Sequence, residues 1–214
     1  MAVMVIERRA PAGEREIRQL IAIYETSFVP EERDDTQSQL AKLQSGEKDC
    51  YLAVDGEQLL GFALVSYFTD FPAAFLEYLA VDPAARNGGI GSRILDYLRH
   101  DLAGRERPDV EGIIFEVDRP EDADDAAERH LRERRIGFYQ RAGAVLVEGA
   151  ENYHAPSAVD DGMLYYLLMW LPVIPGTPQP TGARLRAGVA AILAEGYGLG
   201  RDNPLVREVA ADSG

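Results

Sequence analysis

The chain has 214 residues, long enough to bury a proper core and better matched to one domain with an appendage than to two domains. Hydrophobic residues make up 46% and charged residues 27%, the balance of an ordinary globular protein, while 22 basic against 36 acidic side chains leave a net charge of −14. That surplus of negative charge argues against a nucleic-acid partner, whose phosphates it would repel.

Cys50 is the single cysteine, so no intrachain disulfide can form. Met1 to Arg9 carries too short an apolar run, and Glu7 within it, to be expected to act as a signal peptide. The longest apolar stretch, Tyr165 to Ile174, is broken by Pro172 and is too short to span a bilayer. His100, His130 and His154 are scattered, with no cysteine or histidine at ligand spacing, so no metal site is expected. These features predict a cytoplasmic protein without a membrane partner.

In chain order, Val3 to Arg8 reads as a first strand, and Glu14 to Phe28 as an amphipathic helix with Ile17, Leu20, Ile21 and Tyr24 on one face. Pro30 ends that helix, and a charged connection over 29–35 leads to a short helix from Thr36 to Leu43. Cys50 to Val54, the Asp55-Gly56 turn and Leu59 to Phe68 form a hairpin signal, with Phe75 to Val81 returning as a third antiparallel strand. A glycine-rich loop follows, then a helix from about Gly91 to Leu102, a buried strand from Gly112 to Val117, and an acidic loop from Asp118 to Asp125. Glu128 to Arg141 is a charged helix that Gly143 terminates, and Ala144 to Glu148 with Met163 to Leu171 reads as a final strand pair. Prolines at 172, 175, 178 and 180 make a linker over 172–182. A last helix, about Ala183 to Glu195, carries Leu185, Val189, Ile192 and Leu193 along one face, and needs either its own sheet or a second subunit, in a homodimer, to pack on.

The glycine loop is the chemical signal. Glycines at 88, 89 and 91 allow the backbone to approach a ligand, and the free N–H groups of a helix start face whatever sits there, which suits a pyrophosphate. A P-loop is excluded because Ser92 and Arg93 follow Gly91 with no lysine, and a dinucleotide fingerprint through Gly89 and Gly91 meets Ile94 where it needs glycine. The remaining pattern is Arg/Gln-x-x-Gly-x-Gly/Ala, met by Arg86-Asn87-Gly88-Gly89-Ile90-Gly91 after Leu79-Ala80-Val81-Asp82-Pro83. In these residues the chain resembles the GCN5-related N-acetyltransferase (GNAT) superfamily, and Phe138-Tyr139-Gln140-Arg141-Ala142-Gly143-Ala144 resembles that superfamily's second signature.

The resemblance covers 1–171 and implies an α+β fold of α/β/α sandwich type. Its mixed, mostly antiparallel twisted sheet has about six to seven strands with helices on both faces, and 183–214 forms a C-terminal helical extension beyond the linker. It implies acetyl-CoA as acyl donor, and an acetyl group passed directly to a primary amine of a small molecule or peptide. Backbone groups of Leu79, Ala80 and Val81 would line the pantetheine arm, and Arg86, Asn87, Gly88, Gly89, Ile90, Gly91 and Ser92 would hold the pyrophosphate. An alkylamine is protonated at pH 7, so a carboxylate must take its proton. Glu116 resembles the base of the ribosomal-protein acetyltransferases, and Glu77 sits on the neighbouring strand on the face of Leu79 and Val81; a carboxylate inside an apolar strand needs a basic partner or a wet cleft. Tyr139 matches the family's thiolate-protonating tyrosine. Arg132 stands where many relatives have an asparagine, and it, Arg134 and Arg135 read as a solvated helix face. Two alternatives accompany this reading: a catalytically silent acyl-CoA-binding or sensing module, and a transferase of longer acyl groups.

Overall fold

Alternation of apolar and polar residues along short β-rich runs, interrupted by three amphipathic helices, builds the first half of the chain as strand-and-helix layers. The computed structural model describes residues 4–104 and 110–213, so Val3, where the first strand is expected to begin, lies outside the described residues. By its contacts the chain forms two compact units, one of Met1–Ser66, Leu76–Asp101 and Ser157–Asp160, the other of Tyr67–Phe75, Leu102–Pro156 and Asp161–Gly214.

In the first unit, β1 (Val5–Arg8) pairs antiparallel with β2 (Asp49–Asp55), which pairs antiparallel with β3 (Gln58–Tyr67); β3 neighbours β4 (Ala73–Val81). Helix α1 (Gly13–Ser27) lays Leu20, Ile23 and Tyr24 on the face formed by Leu52, Phe62, Leu64 and Tyr78. Helix α2 (Thr36–Ser45) starts where the Asp35 carboxylate accepts the Ser38 N–H at 2.8 Å, a side-chain cap that satisfies one of the orphan amides of a helix start. Helix α3 (Ile90–Gly104) buries Ile90, Ile94, Leu95 and Leu98.

In the second unit, Ala73–Phe75 of β4 run parallel to Gly112–Ile114 of β5 (Gly112–Asp118), and β5 pairs antiparallel along its whole length with β8 (Met163–Pro172). The expected strand over 144–148 shortens to the two residues of β6 (Val145–Leu146), and β7 (His154–Pro156) pairs with the start of β8, off the main path of the sheet. Helix α4 (Ala126–Arg141) begins two residues before the expected start at Glu128, because Asp125 caps it by accepting the Glu128 N–H at 2.8 Å.

The C-terminal segment docks within the second unit. Helix α5 (Gly182–Ala191) runs into a single π turn (Ile192–Gly196), and a further helix not expected from the sequence, α6 (Pro204–Ala211), follows. Leu185, Val189, Ile192, Leu193, Val206 and Val209 share one core with Phe71, Phe75, Ile114 and Trp170. This answers the apolar stripe that the sequence leaves open: its partner is the chain's own sheet.

The core of the second unit leaves room for no methyl at Gly112. A Cβ on Gly112 would lie 2.2 Å from the Trp170 ring, a fully buried aromatic that has no room to move. Gly112→Ala is expected to lose about 1–3 kcal/mol or more by overpacking, read as a lower midpoint in urea. Gly104→Ala, whose Cβ meets nothing within 4 Å, is the matched control and should unfold like the parent.

Candidate active site

In the first unit β4 leads into the glycine loop. Glu77, Leu79 and Val81 share one face of the strand, and Tyr78 and Ala80 are buried on the other, as alternation requires. After Val81 the Asp82 carboxylate accepts the Ala84 N–H at 2.8 Å, closing a short 3-10 turn over Pro83–Ala85, and Arg86 Nε donates back to the Val81 carbonyl at 3.2 Å. Asn87 (φ 67°) and Gly89 (φ 72°) then take left-handed conformations, which asparagine tolerates and glycine adopts freely. The first bond of α3 runs from the Arg93 N–H to the Gly89 carbonyl at 3.1 Å, so the amides of Ile90, Gly91 and Ser92 come before any carbonyl of their own helix. No acid stands in the first turn, and a Cβ on Gly89 would meet only open space. From Pro83 to Arg93 the only charges are Arg86 and Arg93. This arrangement fits a phosphate group: amides without carbonyls of their own helix, the positive end of a helix, and two cations.

Glu77 has the basic partner that its apolar strand calls for. Its Oε2 pairs with the Lys48 ammonium, the two side chains being 7% and 5% exposed, and its buried Oε1 has no hydrogen-bond partner among the described residues. Lys48 also donates to Gln39 Oε1 at 3.2 Å, and Gln39 Nε2 donates to Asp34 Oδ2 at 2.7 Å, so a chain of polar contacts links β4 to the 29–35 connection. Two phenols fix that connection further. Tyr78 Oη donates to the Glu32 carbonyl at 2.9 Å and Tyr24 Oη to the Asp34 carbonyl at 3.2 Å; burial pushes the Tyr24 phenol up to about 12 and that of Tyr78 higher still, so both remain donors. The acids of the 29–35 connection therefore stand on a tethered backbone.

In the second unit Glu116 projects from β5 opposite Leu168 of β8. Its carboxylate accepts the Tyr153 hydroxyl at Oε1, and the Tyr197 hydroxyl lies 3.0 Å from Oε1 and 2.9 Å from Oε2. Burial, reinforced by the charge of Glu116, raises both phenols well above their ordinary value, so they stay protonated as donors. Tyr139 on α4 is buried with its ring centroid 4.4 Å from that of Phe115, and burial pushes its phenol up to about 12. Arg132 is half-buried, donating to the Arg119 carbonyl at 2.7 Å and pairing with Glu128, while Arg135 pairs with Asp118 at 2.5 Å. These arginines fasten α4 to the end of β5. Cys50 is buried in β2, and burial pushes its thiol up, away from the thiolate a nucleophile needs.

The expected coenzyme residues thus form one contiguous loop in the first unit, where Glu77 also lies, and Glu116 and Tyr139 lie in the second. Lys48, Gln39, Tyr153 and Tyr197 are the contacts that sequence reasoning missed. Among the described residues no group of histidine, cysteine and acidic side chains could hold a metal, and no helix is long and apolar enough to cross a membrane.

Residues 15–144 match the acetyltransferase (GNAT) family. Comparison with curated proteins finds no match. Among solved structures, a GNAT-family protein from Bacteroides thetaiotaomicron is 26% identical with a TM-score of 0.61, covering 78% of this chain and 86% of its own. An aminoglycoside 6'-N-acetyltransferase complexed with coenzyme A shares the fold at 20% identity and a TM-score of 0.59, over 81% of this chain and 99% of its own. So does the ribosomal-protein-alanine N-acetyltransferase of Escherichia coli, at 19% identity and a TM-score of 0.55, over 85% of this chain and 97% of its own.

The Lys48–Glu77 pair yields a direct test of stability. Lys48→Met strands a buried carboxylate and is expected to cost about 3–5 kcal/mol, whereas Lys48→Met with Glu77→Leu should recover most of that loss, because two apolar side chains leave no charge to solvate. Urea unfolding of Lys48→Met, Glu77→Leu and the double variant measures the difference; a double-variant loss equal to the sum of the two single losses would mean that the pair is not coupled.

Proposed function

Because the chain belongs to the GNAT acetyltransferase family, we propose that it is an N-acetyltransferase that transfers an acetyl group from acetyl-CoA directly to a primary amine of a small molecule or peptide. The observation that supports this most is the loop before α3, where left-handed Asn87 and Gly89 precede three amides without helical partners. Those amides, with Arg86 and Arg93, are assigned to the coenzyme's diphosphate, and the backbone of Leu79, Ala80 and Val81 to its pantetheine arm. Bound acetyl-CoA supplies the activated acyl thioester.

The chain's own residues then manage two protons. An alkylamine has a pKa near ~10 and is unreactive while protonated, so Glu116 is assigned to take its proton, directly or through a water. Tyr139, kept protonated by burial, is assigned to hand a proton to the departing sulfur. Glu77 is assigned an auxiliary part, since Lys48 already engages it. One observation favours the second reading, a silent acyl-CoA-binding module: both oxygens of Glu116 are already occupied by phenols.

A thiol-release assay with acetyl-CoA and a panel of amines separates the two. The panel should include an aminoglycoside and a peptide with N-terminal alanine, the acceptor classes of two structural neighbours, and a longer acyl-CoA should be run in parallel. Turnover of at least one amine is expected, with Glu116→Gln lowering kcat by roughly 10²–10⁴-fold at unchanged coenzyme affinity. Coenzyme binding without turnover would support the silent module, and full activity of Glu116→Gln would remove the assigned base.

A further inference from the structure

The segment that brings Tyr197 to Glu116 lies outside the residues matched to the family, 15–144, and its placement is built rather than incidental. Helix α5 ends in a π turn, Ile192–Gly196, and the extra residue such a turn accommodates rotates everything after it relative to a regular helix. Ile192 and Leu193 are fully buried in that turn. At its end Gly196 packs so closely on Phe75 that a Cβ there would lie 2.9 Å from the ring. The Glu195 carboxylate accepts the Thr69 N–H at 2.8 Å and the Thr69 hydroxyl at 2.9 Å, and also the Arg201 guanidinium at 2.9 Å. The Tyr197 N–H is itself held by the Ile192 carbonyl at 3.0 Å. A tyrosine clamped from both sides places its hydroxyl within reach of both oxygens of one carboxylate. Tyr153, fully buried, reaches the same carboxylate from the stretch before β7.

We propose that Tyr197 and Tyr153 are positioning residues for Glu116, fixing the plane of its carboxylate, so that the C-terminal segment orients the proposed base. The proposal rests on the assignment of Glu116 as base in the preceding subsection. A carboxylate turned by two fixed donors keeps one orientation toward an arriving amine, whereas an unheld one must be ordered at each turnover. Both phenols, raised well above their ordinary value by burial, are neutral donors to that carboxylate. Among the titratable groups that meet at this cluster are Glu116 and the phenols of Tyr153, Tyr166 and Tyr197, of which the first two phenols are buried and Tyr197 is half-buried.

The test compares Tyr197→Phe and Tyr153→Phe, which keep the rings, with Glu116→Gln and the parent, using acetyl-CoA and whichever amine the panel identifies. Each phenylalanine variant is expected to lower kcat about tenfold, the worth of one hydrogen bond to a charged group, with KM for acetyl-CoA and thermal midpoint near the parent's. The acidic limb of the kcat profile should move to higher pH, because a donor to the charged form has been lost. Two variants keep the test decisive should one fail to fold. Parent-like kcat and pH profile in folded Tyr197→Phe and Tyr153→Phe, beside a crippled Glu116→Gln, would overturn the proposal alone. Absence of turnover in the parent would instead remove the reading beneath it, and the proposal with it.

Discussion

Three backbone N–H groups at the start of α3 have no carbonyl of their own helix to meet, and much of the chain serves to put them where they are. Ile90 and Ile94 pin the helix to the core. Asp82 closes the turn that leaves β4. Asn87 and Gly89 then reverse the backbone through left-handed conformations that a branched side chain would resist. In a chain of net charge −14, the stretch from Pro83 to Arg93 holds two arginines and no acid, so the local field at this helix end is opposite in sign to that of the whole molecule. An anionic ligand would meet repulsion over most of the surface and attraction at this loop.

The two carboxylates set into apolar strands are satisfied in contrasting ways, and the contrast distinguishes their assigned roles. Lys48 neutralises Glu77 in a pair almost fully removed from water, an arrangement that holds β4 to the segment preceding β2. Glu116, only half-buried, is met instead by the hydroxyls of Tyr153 and Tyr197. The difference in partner, a lysine for Glu77 and phenols for Glu116, is one ground on which the base is proposed to be Glu116 and not Glu77.

Local patterns were readable from the sequence where short-range physics decides them. The β2–β3 hairpin followed from alternation and the Asp55-Gly56 turn, and α3 from its glycine-rich entry. Elements decided by tertiary contact were not. The strand expected over 144–148 shrinks to two residues, and α6 carries a stripe too short to stand out until Val206 and Val209 are seen beside the π turn. The same limit governs the site. A carboxylate in a strand announces the need for a partner but not its identity: Lys48 lies 29 residues from Glu77, and Tyr197 lies 81 residues from Glu116. No spacing rule connects such pairs. A lysine directly before an apolar strand was a faint signal for the first, and nothing in the composition of the C-terminal segment pointed to the second.

The account stands on the amides at the start of α3 binding the diphosphate of the coenzyme. Titration calorimetry with CoA and with pantetheine, which lacks the diphosphate, tests this most directly when repeated on Gly89→Val, a change that the left-handed backbone at Gly89 disfavours. The account predicts that CoA binds far more tightly than pantetheine and that the substitution weakens CoA while leaving pantetheine nearly unchanged. Equal affinity for the two ligands, or a Gly89→Val variant that folds and binds CoA as the parent does, would contradict it.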